Sequence, residues 1–230
     1  DYDCVVKTCD GTKSVTSTST HLTVFGSPPT PHPYLTWGEN QNYQCGNGTN
    51  TTPLLPGSYT NLANVVQMGG GRSYSTALLA DGSVYTWGNG GFGELGNGTS
   101  GTSASPVKIG VTSAIQLAAG YSHVLALLRD GSVVAWGSNQ SGELGDSSQS
   151  QRNAPVHCRV GGCITAVAAG QNYSLALRAD GTVLSWGFNG LGSLGRGSIG
   201  GNFLVPAPVA GLSNVIAIAA GAYTAYALRG

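Results

Sequence analysis

The chain has 230 residues, enough for a buried core, and only 9% of them are charged, against roughly 25% in an average soluble domain. Ten acidic and ten basic side chains balance, which argues against the basic face a duplex nucleic acid needs, and no apolar run approaches the roughly 20 residues of a membrane-spanning helix. Thirty-seven glycines, with few Lys and Glu, favour strands and turns over long surface helices.

In chain order, the first feature is "CVVKTC", in which Cys4 and Cys9 share the C-x4-C spacing found again in "CRVGGC" at Cys158 and Cys163. Two local disulfides, Cys4–Cys9 and Cys158–Cys163, with Cys45 left as an unpaired inward thiol, are the count expected of an exported protein; free buried thiols and a metal site are the alternatives. Next come His21 to Phe25, read as a strand, and "SPPTPHP" (27–33), whose prolines favour an extended, exposed loop. Residues 1–63 read as a degenerate first repeat and 64–230 as regular repeats, the whole forming one domain.

Trp37, Trp87, Trp136 and Trp186 are each followed by glycine and stand 49 or 50 residues apart. Six residues before each of the last three comes Asp-Gly, beginning at Asp81, Asp130 and Asp180. "STALLA" and "SVYTW" flank the first of these pairs, which predicts a tight hairpin with a type I′ turn, positive φ at both central residues. A glycine-rich turn follows each tryptophan, as in "WGSNQSGELG", and aims one leucine inward; Cys45 fills that place in the first copy. A polar loop, a strand such as "APVHC", and an apolar strand such as "ITAVAAG" complete the unit. About four strands per 50 residues predicts an all-β fold: a β-propeller of four-stranded antiparallel blades, with four to five repeats in this chain. Gly88, Gly90 and Gly93 spell G-x-G-x-x-G in the second copy alone. No helix pattern follows them, so they read as turn glycines rather than a phosphate loop.

The combined pattern A-A-G-x-x-[HY]-S-x-A-L-x-x-D-G-x-V-x-x-W-G-x-N-x-x-G-x-L-G, clear over residues 64–230, resembles the regulator of chromosome condensation repeat family. The resemblance implies a propeller, usually of seven blades, and a range of roles from guanine-nucleotide exchange to ubiquitin-ligase modules and secreted propellers. It also implies closure by strands from both termini, for which residues 2–7 are the candidate partner of "AYALR". A longer propeller, or completion by a neighbouring molecule, are the alternatives.

No assembled catalytic constellation is visible, nor a cofactor or metal motif. His123 shares its repeat position with Tyr74, Tyr173 and Tyr223, which suits a structural role; His32 lies in the proline loop. Glu94 and Glu143 share a slot with Ser193. N-x-S/T sequons make Asn47, Asn50, Asn97 and Asn139 glycosylation candidates, whereas Asn172, at the start of an apolar strand, reads as a chance match. The expected function is a non-catalytic extracellular or cell-surface binding or structural module. It would contact a protein, a glycan or another copy of itself through loops 27–33, 97–105, 145–153 and 195–203. Nucleotide exchange or another regulatory action on a protein partner is the alternative.

Overall fold

The computed structural model describes residues 5–7, 14–16, 34–58 and 62–230. A short antiparallel hairpin joins β1 (Val5–Lys7) to β2 (Ser14–Thr16). Three four-stranded antiparallel sheets then follow in strict sequence order. The first contains β3 (Val65–Gly70), β4 (Tyr74–Leu79), β5 (Val84–Gly88) and β6 (Ser103–Lys108). The second contains β7 (Ala114–Ala119), β8 (His123–Leu128), β9 (Val133–Gly137) and β10 (Arg152–His157). The third contains β11 (Ile164–Ala169), β12 (Tyr173–Arg178), β13 (Val183–Phe188) and β14 (Asn202–Pro208). A half-blade of β15 (Val215–Ala220) and β16 (Ala225–Arg229) comes last. There is no helix among the described residues, hence none long and apolar enough to cross a membrane. The four-stranded blades expected from the repeat are present, and β3, β7 and β11 lie side by side as the inner strands. Gln67 bonds both the N–H and the carbonyl of Leu117, and Gln116 does the same to Val167.

The Asp-Gly hairpins form where expected but with another turn. Positive φ is confined to the glycine, +82° at Gly82, while Asp81 keeps an ordinary φ. The Gly82 N–H donates to the Leu79 carbonyl and the Leu79 N–H to that of Ser83, the three-residue loop with a glycine bulge. Aspartate is chosen for its side chain: Asp81 Oδ1 accepts the Ser83 N–H and hydroxyl, and Asp130 does the same for Ser132. Asp180 Oδ1 accepts the Thr182 N–H. Two residues of type I geometry followed by a left-handed glycine need only one positive φ, so type I′ is not required.

The core lies between blades. Trp87, Trp136 and Trp186 are wholly buried, and Leu95, Leu144 and Leu194 sit beneath their glycine-rich turns, with Cys45 buried in the same slot. Each buried indole reaches back one blade. Nε1 of Trp87, Trp136 and Trp186 donates to the carbonyl of Gln44, Glu94 and Glu143 at 2.7–2.8 Å. The rings rest on Gly46, Gly96 and Gly145, where a Cβ would come within 2.8–2.9 Å of indole atoms. This is what the Leu-Gly dipeptide is for. Trp37 differs from these three, being 61% exposed, because no preceding blade stands before it among the described residues.

Two further expectations are corrected. Cys158 and Cys163 do not pair: Cys158 is a free thiol turned into the core with Leu125, Val133 and Val167. Cys163, before β11, is disulfide-bonded, but not to Cys158. Cys45 is free and buried, as expected. Among the described residues, Val5–Lys7 pair with Ser14–Thr16 and β16 pairs with β15, so the expected terminal pairing is not seen there, and residues 2–4 lie outside the described residues. Cys4, Cys9, His21, His32 and the loop 27–33 lie outside the described residues.

Candidate protein-binding face

Strand register fixes which segments share an end of the blade. Tyr74 pairs with Gly88, and Gly88 with Ser103, so the tip between β3 and β4, the glycine-rich turn and loop 97–102 lie together. The Asp-Gly turns lie at the opposite end. The same register recurs at His123 and Gly137 with Arg152, and at Tyr173 and Gly187 with Phe203.

At this end the inner-strand tips form a row. The N–H of Gly71, Gly120, Gly170 and Gly221 closes each tip onto the carbonyl of Tyr74, His123, Tyr173 and Thr224, so Thr224, and not Tyr223 as the sequence suggests, takes the place of His123 in the last copy. Neighbouring tips are then tied together: the Arg72 N–H donates to Tyr121, Tyr121 to Gly170, and Gln171 to Ala222. The Tyr74 hydroxyl adds bonds to the Gly120 and His123 carbonyls at 2.8 and 2.7 Å, and Tyr173 does likewise at Gly221 and Thr224. A uniform backbone thereby presents unlike side chains, Arg72, Tyr121, Gln171 and Ala222, around an open depression of about 320 Å³. The Arg72 guanidinium stacks 5.3 Å from the Tyr121 ring centroid.

His123 differs from its tyrosine counterparts. Its Nε2 lies 2.9 Å from Ser174 Oγ, which itself donates to the Glu143 carbonyl. The single hydroxyl proton is thus committed, so Nε2 carries the imidazole proton. Complete burial pushes the ring's pKa down to about 4.

The polar loops are held by the asparagine of W-G-x-N, a role the sequence reading missed although the residue recurs visibly. Asn139 Oδ1 accepts the Leu144 N–H, and its Nδ2 donates to Asp146, Ser148 and Ser150. Asn40 and Asn189 repeat the arrangement over loops 49–51 and 198–200. Asn139 is wholly buried with the very nitrogen a glycan would occupy already bonded, so it is no glycosylation site in the folded chain. Asn50 is exposed, and Asn47 and Asn97 are partly exposed. In the first four-stranded sheet this position is Gly90. A Cβ there would stand 2.2 Å from the Gly101 carbonyl oxygen, so the loop backbone occupies the anchor's space. Loop 146–151, held by Asn139, is fastened further by Arg152, whose Nε and Nη2 donate to Asp146 Oδ2 at 2.9 and 2.7 Å.

Beneath the turns, Glu94 and Glu143 are buried, and each accepts an N–H two residues earlier, from Phe92 and Ser141. Gln44 makes the same bond to Asn42. Burial raises both carboxyl pKa values despite those backbone bonds. The fold therefore holds the proton better than the open chain does, and stability falls as pH climbs through the ordinary glutamate range to the raised values. Glu143→Gln keeps the acceptor without the charge. It should stabilise the chain at pH 7 by about 0.5–2 kcal/mol in denaturant unfolding, and the gain should vanish in acid.

These features define a repeat protein built of propeller blades. The chain belongs to the regulator of chromosome condensation (RCC1) repeat family, whose repeat matches residues 35–78, 81–127, 130–177 and 180–228. Human WBSCR16 is similar at 27% identity and a TM-score of 0.76 over 84% of this chain and 54% of that one. Prp20p of Saccharomyces cerevisiae shares the fold at 22% identity, with a TM-score of 0.75 over 84% of this chain and 50% of that one. The mitochondrial RCC1 domain-containing protein RUG3 of Arabidopsis thaliana is 36% identical over 75 residues, 32% of this chain and 17% of that protein. The chain thus spans about half of the two solved relatives and less of the third.

Proposed function

We propose that this chain is a non-catalytic binding module that engages a protein partner through the blade end carrying the tips and loops. The observation that carries the reading is the company of side chains there. Tyr121, stacked with Arg72, is 37% exposed, and Phe92, Leu191 and Ile199, in the turns and loops of the same blade end, are 48%, 62% and 76% exposed. Exposed aromatic and aliphatic groups with an arginine, held rigidly, are the composition of contact surfaces. The relatives are consistent with it, since the work on yeast Prp20p names binding to Gsp1p and histones, and a further structure has it bound to Kap60.

Cross-linking in an extract of the source cells, followed by titration of the captured protein, tests this. Tyr121→Ala with Arg72→Ala should weaken binding tenfold or more while leaving the unfolding midpoint in place. Cross-links gathered at the Asp-Gly end would refute it. Capture of a small GTPase, with faster nucleotide release, would select the exchange reading. An extracellular setting is the second part of the proposal and rests on the exposed sequon at Asn50, the partly exposed one at Asn97 and the bonded Cys163. A mass that does not change on glycosidase treatment of the native protein would remove that support.

A further inference from the structure

We infer that the depression between the blade tips is a carboxylate site, which takes an acidic side chain from a loop of the partner protein. The inference rests on the reading of this blade end as the contact face and adds the chemistry of what enters it. Arg72, Tyr121 and Gln171 line the depression, each from a neighbouring tip. Neither the guanidinium, the Tyr121 hydroxyl nor the Gln171 amide has a hydrogen bond or ion pair among the described residues. Elsewhere this chain commits such groups. The hydroxyls of Tyr74 and Tyr173 bond tip carbonyls, and Gln67, Gln116, Gln149 and Gln151 all use their side-chain amides. The tip carbonyls are also engaged: Gly120 accepts the Tyr74 hydroxyl, Gly170 the Tyr121 N–H, and Gly221 the Tyr173 hydroxyl.

The charge there is one-sided. Glu94 and Glu143 are buried beneath their turns, Asp146 is held by Arg152, and the aspartates of the Asp-Gly turns stand at the opposite end. Glu39, exposed on the turn of the preceding copy, is not within ion-pair reach of Arg72. Arg72 is itself exposed, and its stacking on the Tyr121 ring sets the plane of the guanidinium and leaves an edge for a ligand. That planar fork matches a carboxylate through two parallel N–H···O bonds. One cation balances one carboxylate, whereas a phosphate dianion calls for more than one. The methyl groups of Ala119, Ala169 and Ala220 line the same depression and suit the methylenes of a glutamate stem.

Two experiments on the 230-residue chain test this. In heteronuclear NMR, an end-blocked peptide of alternating glutamate and leucine at millimolar concentration should shift the side-chain signals of Arg72 and Gln171. Arg72→Gln should weaken that binding roughly tenfold or more. The same peptide with glutamine in place of glutamate should leave the signals where they are, and inorganic phosphate should compete no better than chloride at equal ionic strength. Equal shifts from the two peptides, shifts centred on Arg129 and Arg178, stronger competition by phosphate, or no shift at all would each overturn the carboxylate site. Against the captured partner, Arg72→Glu should abolish binding, and lysine in place of the partner's acidic residue cross-linked nearest Arg72 should restore it. If Tyr121→Ala weakens binding and Arg72→Gln does not, the contact face stands and the carboxylate site falls. If neither weakens it, the contact face falls as well.

Discussion

Replacing Trp136 with alanine is expected to remove about 3–5 kcal/mol from the unfolding free energy, the usual cost of deleting a fully buried indole. The ring is wholly buried between the first two blades, packed with Tyr74, Leu95, Leu117 and Val134. Two losses combine: apolar surface returns to water, and the Glu94 carbonyl loses the indole N–H that lies 2.8 Å away. Trp136→Phe separates them, because it keeps most of the packing and forfeits only the hydrogen bond, for about 1–2 kcal/mol. Trp37→Ala, on an exposed ring, should change the stability of a single chain by less than about 0.5 kcal/mol. Guanidinium titrations followed by circular dichroism read all three. Equal costs for Trp37 and Trp136 would mean that the repeat tryptophan stabilises its own hairpin rather than the joint between blades.

The second large effect is acid sensitivity through His123. The folded chain holds this imidazole neutral, with a pKa pushed down to about 4 by burial, whereas the unfolded chain titrates near 6.5. As pH falls below 6.5 the unfolded state takes up the proton first, so stability is full above that value and drains away toward pH 4. The whole loss is on the order of 3 kcal/mol. The aspartates at the hairpin turns, whose pKa values are lowered, begin to weaken the fold only at more acidic pH. Glu94 and Glu143 act with the opposite sign, gaining as pH drops. Comparing wild type with His123→Tyr over pH 4 to 7 isolates the imidazole. The variant borrows the tyrosine of the equivalent places 74 and 173 and should show a much flatter profile. A slope unchanged by the substitution would show that the acid response comes from other groups.

Much of the fold was legible because the repeat writes each structural part three times over. The spacing of the tryptophans, the inward leucines and the glycine-rich turns depends on contacts that recur, so their pattern is visible without coordinates. What resisted reading depends on things a period does not encode. Trp37 looks like its counterparts in sequence, yet burial belongs to the joint and not to the residue. The Cys158–Cys163 spacing suggested a bridge, but blade geometry turns Cys158 into the core. Asn139 satisfies a sequon pattern while its amide is consumed in holding a loop. The aspartates were placed correctly, although their side-chain bonds, rather than a tolerance for positive φ, explain them. Of the candidate site, loops 97–105, 145–153 and 195–203 were anticipated. Arg72, Tyr121 and Gln171 were passed over, though the place after A-A-G is where otherwise similar copies diverge. Invariance located the scaffold, and the candidate contact residues lie where the copies depart from it.

The uniform joint also bears on how such a chain can change its length. Because the ring of one blade always meets the same glycine and carbonyl of the blade before, a segment cut from Trp to Trp carries one complete half of each of two joints. Gene duplication or loss of one such 49- or 50-residue segment leaves every remaining interface with its proper counterpart. Stability in arrays of this kind adds up from units and nearest-neighbour contacts. The number of blades is therefore a quantity that evolution can adjust in whole steps, by unequal recombination within the reading frame, without first redesigning a core.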